Sequence, residues 1–154
     1  FRWFWFRNCI SGKNIMKKKK VLIVVSNYYE DIANGLLEGA ENHINNVSKK
    51  FDIEYNIKYS PGSFEIPFLI NTNQNLYDGF IALGCIIRGE TYHFEIISNE
   101  VTRKIMDLSV SLNKPIGFGI LTCENKEQAK ERSSSYRNKG IESAKACLKI
   151  LLDG

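Results

Sequence analysis

The chain has 154 residues and a mass of 17.7 kDa, the size of one ordinary domain. Apolar residues make up 44% and charged residues 25%, which excludes disorder and low complexity for most of the chain. No run of about 18 or more apolar residues occurs, so no membrane-spanning helix is expected. The formal charge of +4 is unevenly spread. Residues 1–20 hold seven basic residues (Arg2, Arg7, Lys13 and Lys17 to Lys20) and no acid; residues 21–154 hold 14 basic and 17 acidic residues, a net −3. No basic stripe continues into the body, so a nucleic-acid partner is not expected.

Residues 1–19 read as a basic, aromatic lead-in, expected to be disordered. Both tryptophans, Trp3 and Trp5, lie there, and Met16 stands directly before the lysine run. Residues 1–15 are expected to precede the natural start at Met16. A membrane-surface anchor is the alternative that Trp, Phe and Arg together suit. Residues 20–154 are expected to be one domain. Cys9, Cys85, Cys123 and Cys147 form no C-x-x-C pair, and two histidines complete no zinc spacing with them. Reduced thiols, a cytoplasmic location and no metal are expected.

Val21 to Val25 is a continuous apolar run, suited to a strand buried on both faces. Ile32, Leu36, Leu37, Ala40, Ile44 and Val47 then recur at helical spacing. From Asp52 to Tyr59 the pattern alternates, with Ile53, Tyr55, Ile57 and Tyr59 on one side, until Pro61-Gly62 breaks it. A helix is expected from Ile66 to Leu76. A third strand, Phe80 to Leu83, is expected to end near Gly84. Phe94, Ile97, Val101, Ile105, Leu108 and Leu112 share one helix face, which Asn113-Lys114-Pro115 stops. A fourth strand runs from Ile116 to Leu121. Two helices close the chain, Asn125 to Ser133 and Asn138 to Leu152, the second with Ile141, Ala144, Leu148 and Leu151 facing in. Strands alternating with helices predict a parallel sheet covered on both faces.

Open sheets of this kind bind ligands outside the carboxyl ends of their strands. There the sequence places Ser26-Asn27-Tyr28-Tyr29-Glu30, Ser60 to Glu65, Gly84 to His93, and Thr122-Cys123-Glu124. An aromatic ring on that rim can stack on a planar heterocycle. Gly-containing turns that lead into helices offer N–H groups to anions. His93 opens the longest helix, where it is either a capping or surface residue or a proton carrier kept neutral by the helix dipole. His43 reads as a surface residue, and spacing does not separate Arg132 from Arg137. No Walker loop, G-x-G-x-x-G or G-x-S-x-G occurs, so neither a nucleotide cofactor nor a hydrolase elbow is supported.

Five ordered segments carry a resemblance. They are Pro61-Gly62-Ser63-Phe64-Glu65-Ile66-Pro67, Ala82 to Phe94, Phe118-Gly119-Ile120-Leu121-Thr122, Glu127-Gln128-Ala129-Lys130-Glu131-Arg132, and Asn138-Lys139-Gly140. In these the chain resembles the lumazine synthase family of riboflavin biosynthesis, over about residues 20–152. The resemblance implies a three-layer α/β/α sandwich with a four-stranded parallel sheet of flavodoxin-like topology. It implies condensation of 5-amino-6-(D-ribitylamino)uracil with 3,4-dihydroxy-2-butanone 4-phosphate, with no cofactor or metal. His93 matches the proton-transfer residue. Tyr28 matches the aromatic that stacks on the pyrimidine, where Phe is usual. Ser63, Phe64, Glu65, Cys85, Ile86 and Ile87 would contact the ribityl chain and the ring. Glu90 and Thr91 would hold the butanone phosphate, and Arg132 would bind it, with Lys139 in support. Phe118 and Arg132 would come from a neighbouring subunit of a homopentamer, and that pentamer can exist alone or in a sixty-subunit icosahedral shell. Two segments depart from the family pattern: Ser133-Ser134-Ser135-Tyr136-Arg137 replaces a Gly/Ala-rich turn, and Asn27-Tyr28-Tyr29 replaces Arg-Phe-Asn. A non-catalytic flavin or lumazine carrier and an electron-transfer flavodoxin-like protein are the rival readings; filled His93 and Arg132 positions oppose the first, and the absence of a hydroxyl- and Gly-rich loop after the first strand opposes the second.

Overall fold

The computed structural model describes residues 17–153. The expectations for residues 1–15 and for a start at Met16 lie outside the described residues. Four strands form one parallel sheet: β1 (Lys19–Ser26), β2 (Ile53–Ser60), β3 (Gly79–Ile87) and β4 (Ile116–Cys123), in the order β2-β1-β3-β4. The first strand begins on Lys19, whose N–H donates to the Asp52 carbonyl at 2.9 Å.

Side chains alternate across the pleat, so each strand feeds two cores. Val21, Ile23, Val25, Ile81, Leu83, Cys85, Leu121 and Cys123 face α1 (Glu30–Val47) and the C-terminal helix. Leu22, Val24, Phe80, Ala82 and Ile120 face α2 (Ile66–Thr72) and α3 (His93–Leu112). A short α4 (Lys126–Arg132) and α5 (Lys139–Asp153) complete the chain. The result is a three-layer α/β/α sandwich with the flavodoxin-like strand order. Val21 to Val25 are fully buried, and each such side chain contributes about 1.5–3 kcal/mol of transfer free energy.

The helix ends follow from the residues at them. Glu30 and Asp31 put negative charge on the positive end of α1. Asn125 caps α4, its side chain accepting from the Gln128 N–H at 2.9 Å. Asn113 ends α3 in the left-handed region at φ 56°, two residues before Pro115.

Four local expectations need correction. The second helix stops at Thr72 rather than Leu76, because the Asn73 amide turns back to donate to the Leu69 carbonyl at 2.7 Å. The third strand runs three residues past Gly84, since Cys85, Ile86 and Ile87 stay paired with Leu121, Thr122 and Cys123. Gly84 marks a close approach, not a strand end: a Cβ there would meet Ser63 Oγ at 2.7 Å. Ile141 lies outside the core, because α5 meets α1 through Gly140, Ser143, Ala144 and Cys147, and a Cβ at Gly140 would collide with the Leu36 carbonyl. Tyr59 is exposed, although Ile53, Tyr55 and Ile57 pack on the core as the alternation predicts.

Candidate active site

The carboxyl ends of β1, β2 and β3 surround a cleft of about 520 Å³. It sits where the strand order reverses, between β1 and β3, as the crevice rule for open sheets requires. Each wall comes from a strand end or the segment after it. Tyr28 and Tyr29 follow β1, Gly62 and a 3-10 turn (Ser63–Glu65) follow β2, and the end of β3 (Cys85, Ile86 and Ile87) with Gly89, Thr91 and His93 beyond it closes the third side. The floor is apolar, with Ile86, Ile87, Phe94 and Ile97; Glu65, Thr91 and His93 are the polar groups at its wall.

Tyr28 stands 71% exposed and meets the edge of the Tyr29 ring, centroids 5.0 Å apart. Its face is therefore open to a planar ligand. Burial raises the pKa of Tyr29. His93 opens α3 and is exposed. Its backbone N–H donates to Thr91 Oγ1 at 3.3 Å, a local contact between the start of α3 and the loop before it. Cys85 lies at the cleft floor with its thiol pushed up to about 12, chiefly by burial and then by Cys123 beside it. It is a small apolar wall rather than a nucleophile. The hydroxyls of Ser26 and Ser63, on either side of Gly84, are buried without a protein partner.

Nine of the thirteen residues expected at the site line this cleft: Tyr28, Ser63, Phe64, Glu65, Cys85, Ile86, Ile87, Thr91 and His93. Four lie outside it. Glu90 is exposed between Gly89 and Thr91, which both line it. Phe118 is half-buried on β4 against the α2–α3 core. Arg132 ends α4, where its Nη1 donates to the Gln128 carbonyl at 3.2 Å. Lys139 begins α5 and pairs with Glu142 at 2.6 Å. Tyr29, Gly62, Gly89, Phe94 and Ile97 also line the cleft; the first three fall in the rim segments that the sequence places there, without an expected contact of their own. The signal for Tyr29 was its place after the first strand. Helical spacing gives Phe94 and Ile97 to the core stripe, yet both are only half-buried.

A second hollow of about 530 Å³ lies between α1 and the α4–α5 corner, lined by Asp31, Glu38, Lys130, Ser133 and Asn138 among others. It has no aromatic ring, thiol or histidine, so size alone does not make it the reactive centre. His43 is half-buried on α1, away from the cleft; burial, then Lys145, lowers its pKa. Among the described residues, no group of three or more His, Cys, Asp or Glu could hold a metal ion. None of their helices is long and apolar enough to cross a membrane.

The sheet order, the cleft at its reversal and the aromatic rim define a small-molecule-binding α/β protein of flavodoxin-like fold. The pattern of the 6,7-dimethyl-8-ribityllumazine synthase family matches residues 18–152. The chain belongs to that family. It is 46% identical over 140 residues to the 6,7-dimethyl-8-ribityllumazine synthase of Bartonella tribocorum, covering 88% of this chain and 90% of that one. The protein of the same name from Agrobacterium fabrum is 44% identical over 144 residues, with 88% and 95% covered. That of Ruthia magnifica is 41% identical over 151 residues, with 91% and 88% covered.

Proposed function

We propose that this chain is a transferase that condenses 5-amino-6-(D-ribitylamino)uracil with 3,4-dihydroxy-2-butanone 4-phosphate. The products are 6,7-dimethyl-8-ribityllumazine, phosphate and water, in the penultimate step of riboflavin biosynthesis. The observation that carries this reading is the cleft itself. In a chain of this family it gathers a stacking ring, a histidine and the Ser63–Glu65 turn at one strand-order reversal.

Tyr28 takes the pyrimidine face, while Ser63, Phe64, Glu65, Cys85, Ile86 and Ile87 bound the ring and the ribityl chain. Glu90 and Thr91 hold the phosphate end of the butanone. The pyrimidine amine attacks the ketone and loss of water gives an imine; elimination of phosphate and tautomerisation leave a second carbonyl, which the ribitylamino nitrogen attacks to close the ring with loss of a second water. Each step moves protons and none needs a strong nucleophile. Holding the partners together contributes most of the rate, and general acid–base help from His93 adds about 10²–10⁴-fold. The proposed reaction calls on no cofactor.

Phe118, Arg132 and Lys139 act from a neighbouring subunit of a homopentamer. Their position outside this chain's own cleft supports that arrangement. So do the exposed Tyr28, Phe64 and Tyr92, which a neighbour would cover. Arg132 gives the phosphate a bidentate grip that a lysine does not provide. Light scattering separates a pentamer from a sixty-subunit shell. The free, buried Cys85, Cys123 and Cys147 support a reducing compartment, the cytoplasm. The test of the activity is incubation of the purified protein with both substrates, followed by detection of lumazine fluorescence. Absence of product with both substrates saturating overturns the reading.

A further inference from the structure

Residues 88–92 connect β3 to α3 and carry Gly89 and Thr91 to the cleft. Among the described residues, no backbone hydrogen bond ties Gly89, Glu90 or Thr91 to the rest of the fold. All three are exposed. A loop with so few ties should wander by more than a reaction between two bound substrates tolerates. One side chain supplies what the backbone does not. Arg88 donates through Nε to Glu124 Oε2 at 2.6 Å and through Nη2 to Glu124 Oε1 at 3.4 Å. Its Nη1 donates to Glu95 Oε1, in the first turn of α3. Its guanidinium carbon also lies 4.4 Å from the centroid of Phe94, a ring that lines the cleft.

We infer that Arg88 is a positioning residue for the proposed reaction: by joining Glu124 beyond β4 to Glu95 on α3, it fixes the loop of residues 89–92 and the start of the helix that presents His93. This rests on the reading of the cleft given above. Two features separate the cluster from an ordinary surface ion pair, which contributes little. It spans two elements and is forked on Glu124. Glu95 also depends on it, because Glu95 Oε2 is buried without a partner and its carboxyl is held below the usual range mainly by the Arg88 hydrogen bond. Arg103 provides the contrast. It bridges Glu100 and Asp107, but all three belong to α3 and are exposed, so it ties nothing to anything else.

The test compares Arg88→Lys with Arg103→Lys in the full chain. Lysine keeps the charge but does not span two carboxylates as a planar fork. Arg88→Lys is expected to lower kcat about tenfold, with KM for the pyrimidine within about twofold of wild type, because Tyr28 and residues 63–65 stand on other segments. Amides of residues 89–92 should exchange about tenfold faster, while those of β3 keep their protection. Arg103→Lys should change neither. Glu124→Gln, at an exposed site, keeps one arm of the clamp and should show the same pattern at about threefold. Wild-type loop exchange in Arg88→Lys overturns the inference, as does turnover within twofold of an active wild type. If the wild type makes no lumazine, the reading of function falls and exchange alone decides: faster exchange confined to 89–92 upholds the clamp, and equal exchange overturns it.

Discussion

Asn138 is the sharpest place to test how the fold presents the residues proposed to act across a subunit boundary. Its side chain is buried where the start of α5, the end of α4 and the middle of α1 converge. Nδ2 donates to the Gly35 carbonyl at 2.8 Å and to the Ser133 carbonyl at 3.0 Å. Oδ1 accepts from the Gly140 N–H at 2.8 Å. Gly35 retains its helical hydrogen bond if the amide is removed, whereas the Ser133 carbonyl and the Gly140 N–H are left buried and unpaired. At about 1–3 kcal/mol for each orphaned group, Asn138→Ala should cost about 4 kcal/mol once the small void is added. Asn138→Asp has the same shape but loses both donors and turns a carboxylate toward two carbonyl oxygens, so at pH 7 it should cost at least as much. Burial raises the folded-state pKa of that new carboxyl above its unfolded value near 4. The penalty is therefore smallest near pH 4 and grows as pH rises through the folded value. Urea unfolding at matched protein concentration measures both variants. Because Arg132 and Lys139 flank this joint, the apparent affinity for the butanone phosphate should fall while pyrimidine binding holds. A cost below about 1 kcal/mol for Asn138→Ala, or wild-type stability of Asn138→Asp at pH 7, would refute the reasoning.

His93→Ala should slow turnover by about 10²-fold at saturating substrates and leave pyrimidine binding unchanged; a loss within twofold removes the histidine from proton transfer. Arg132→Ala should weaken apparent affinity for the phosphate substrate by about 2–4 kcal/mol and spare the pyrimidine; equal losses for both would return Arg132 to a structural role. Coexpression of His93→Ala with Arg132→Ala should restore about a quarter of wild-type activity, since random assortment leaves that share of shared sites intact. Activity no higher than that of either variant alone would place the whole site in one chain. Iodoacetamide at pH 8 should leave Cys85 and Cys147 unlabelled in the folded protein, because burial holds both thiols up at about 12; mass spectrometry reads this, and a labelled Cys85 contradicts it. Unfolded thiols ionise near 9, so these two groups should also lower stability progressively as pH rises from 9 toward 12.

Strand and helix identity was legible because period 2 and period 3.6 are local properties. What the sequence hid depends on close approaches between distant segments. Gly84 reads as a terminator, and only the fold reveals Ser63 Oγ seated where its Cβ would be. Gly140 sets the contact face of α5, yet a hydropathy pattern favours its large neighbour Ile141. The three strand ends and the segments after them supplied nine of the thirteen expected site residues, because topology alone brings strand ends together. The same logic misses Phe94 and Ile97, whose spacing gives them to the core while their side chains also reach the cleft. Arg88 was invisible as a clamp, since its partners lie 7 and 36 residues away and nothing in their spacing pairs them. Arg132 and Lys139 came from resemblance alone; no periodicity distinguishes them from other helix-surface cations.

The cleft divides its chemistry between floor and rim. Ile86, Ile87, Phe94 and Ile97, with the protonated Cys85 thiol, make a floor that exchanges no protons near neutral pH. A planar heterocycle gains there from burial against apolar groups, and the Tyr28 face adds stacking. The proposed condensation releases water and phosphate and moves protons at each step, so its reacting atoms need contact with the rim. His93 stands there on the exposed start of α3, with Thr91 in the loop before it. Exposure lets an imidazole renew its proton from solvent between steps, at the cost of a less rigid support. A helix start that follows a loosely tied loop, and from which His93 is proposed to carry protons, needs that loop stiffened by side chains, and the Arg88 fork between Glu95 and Glu124 stands at its base.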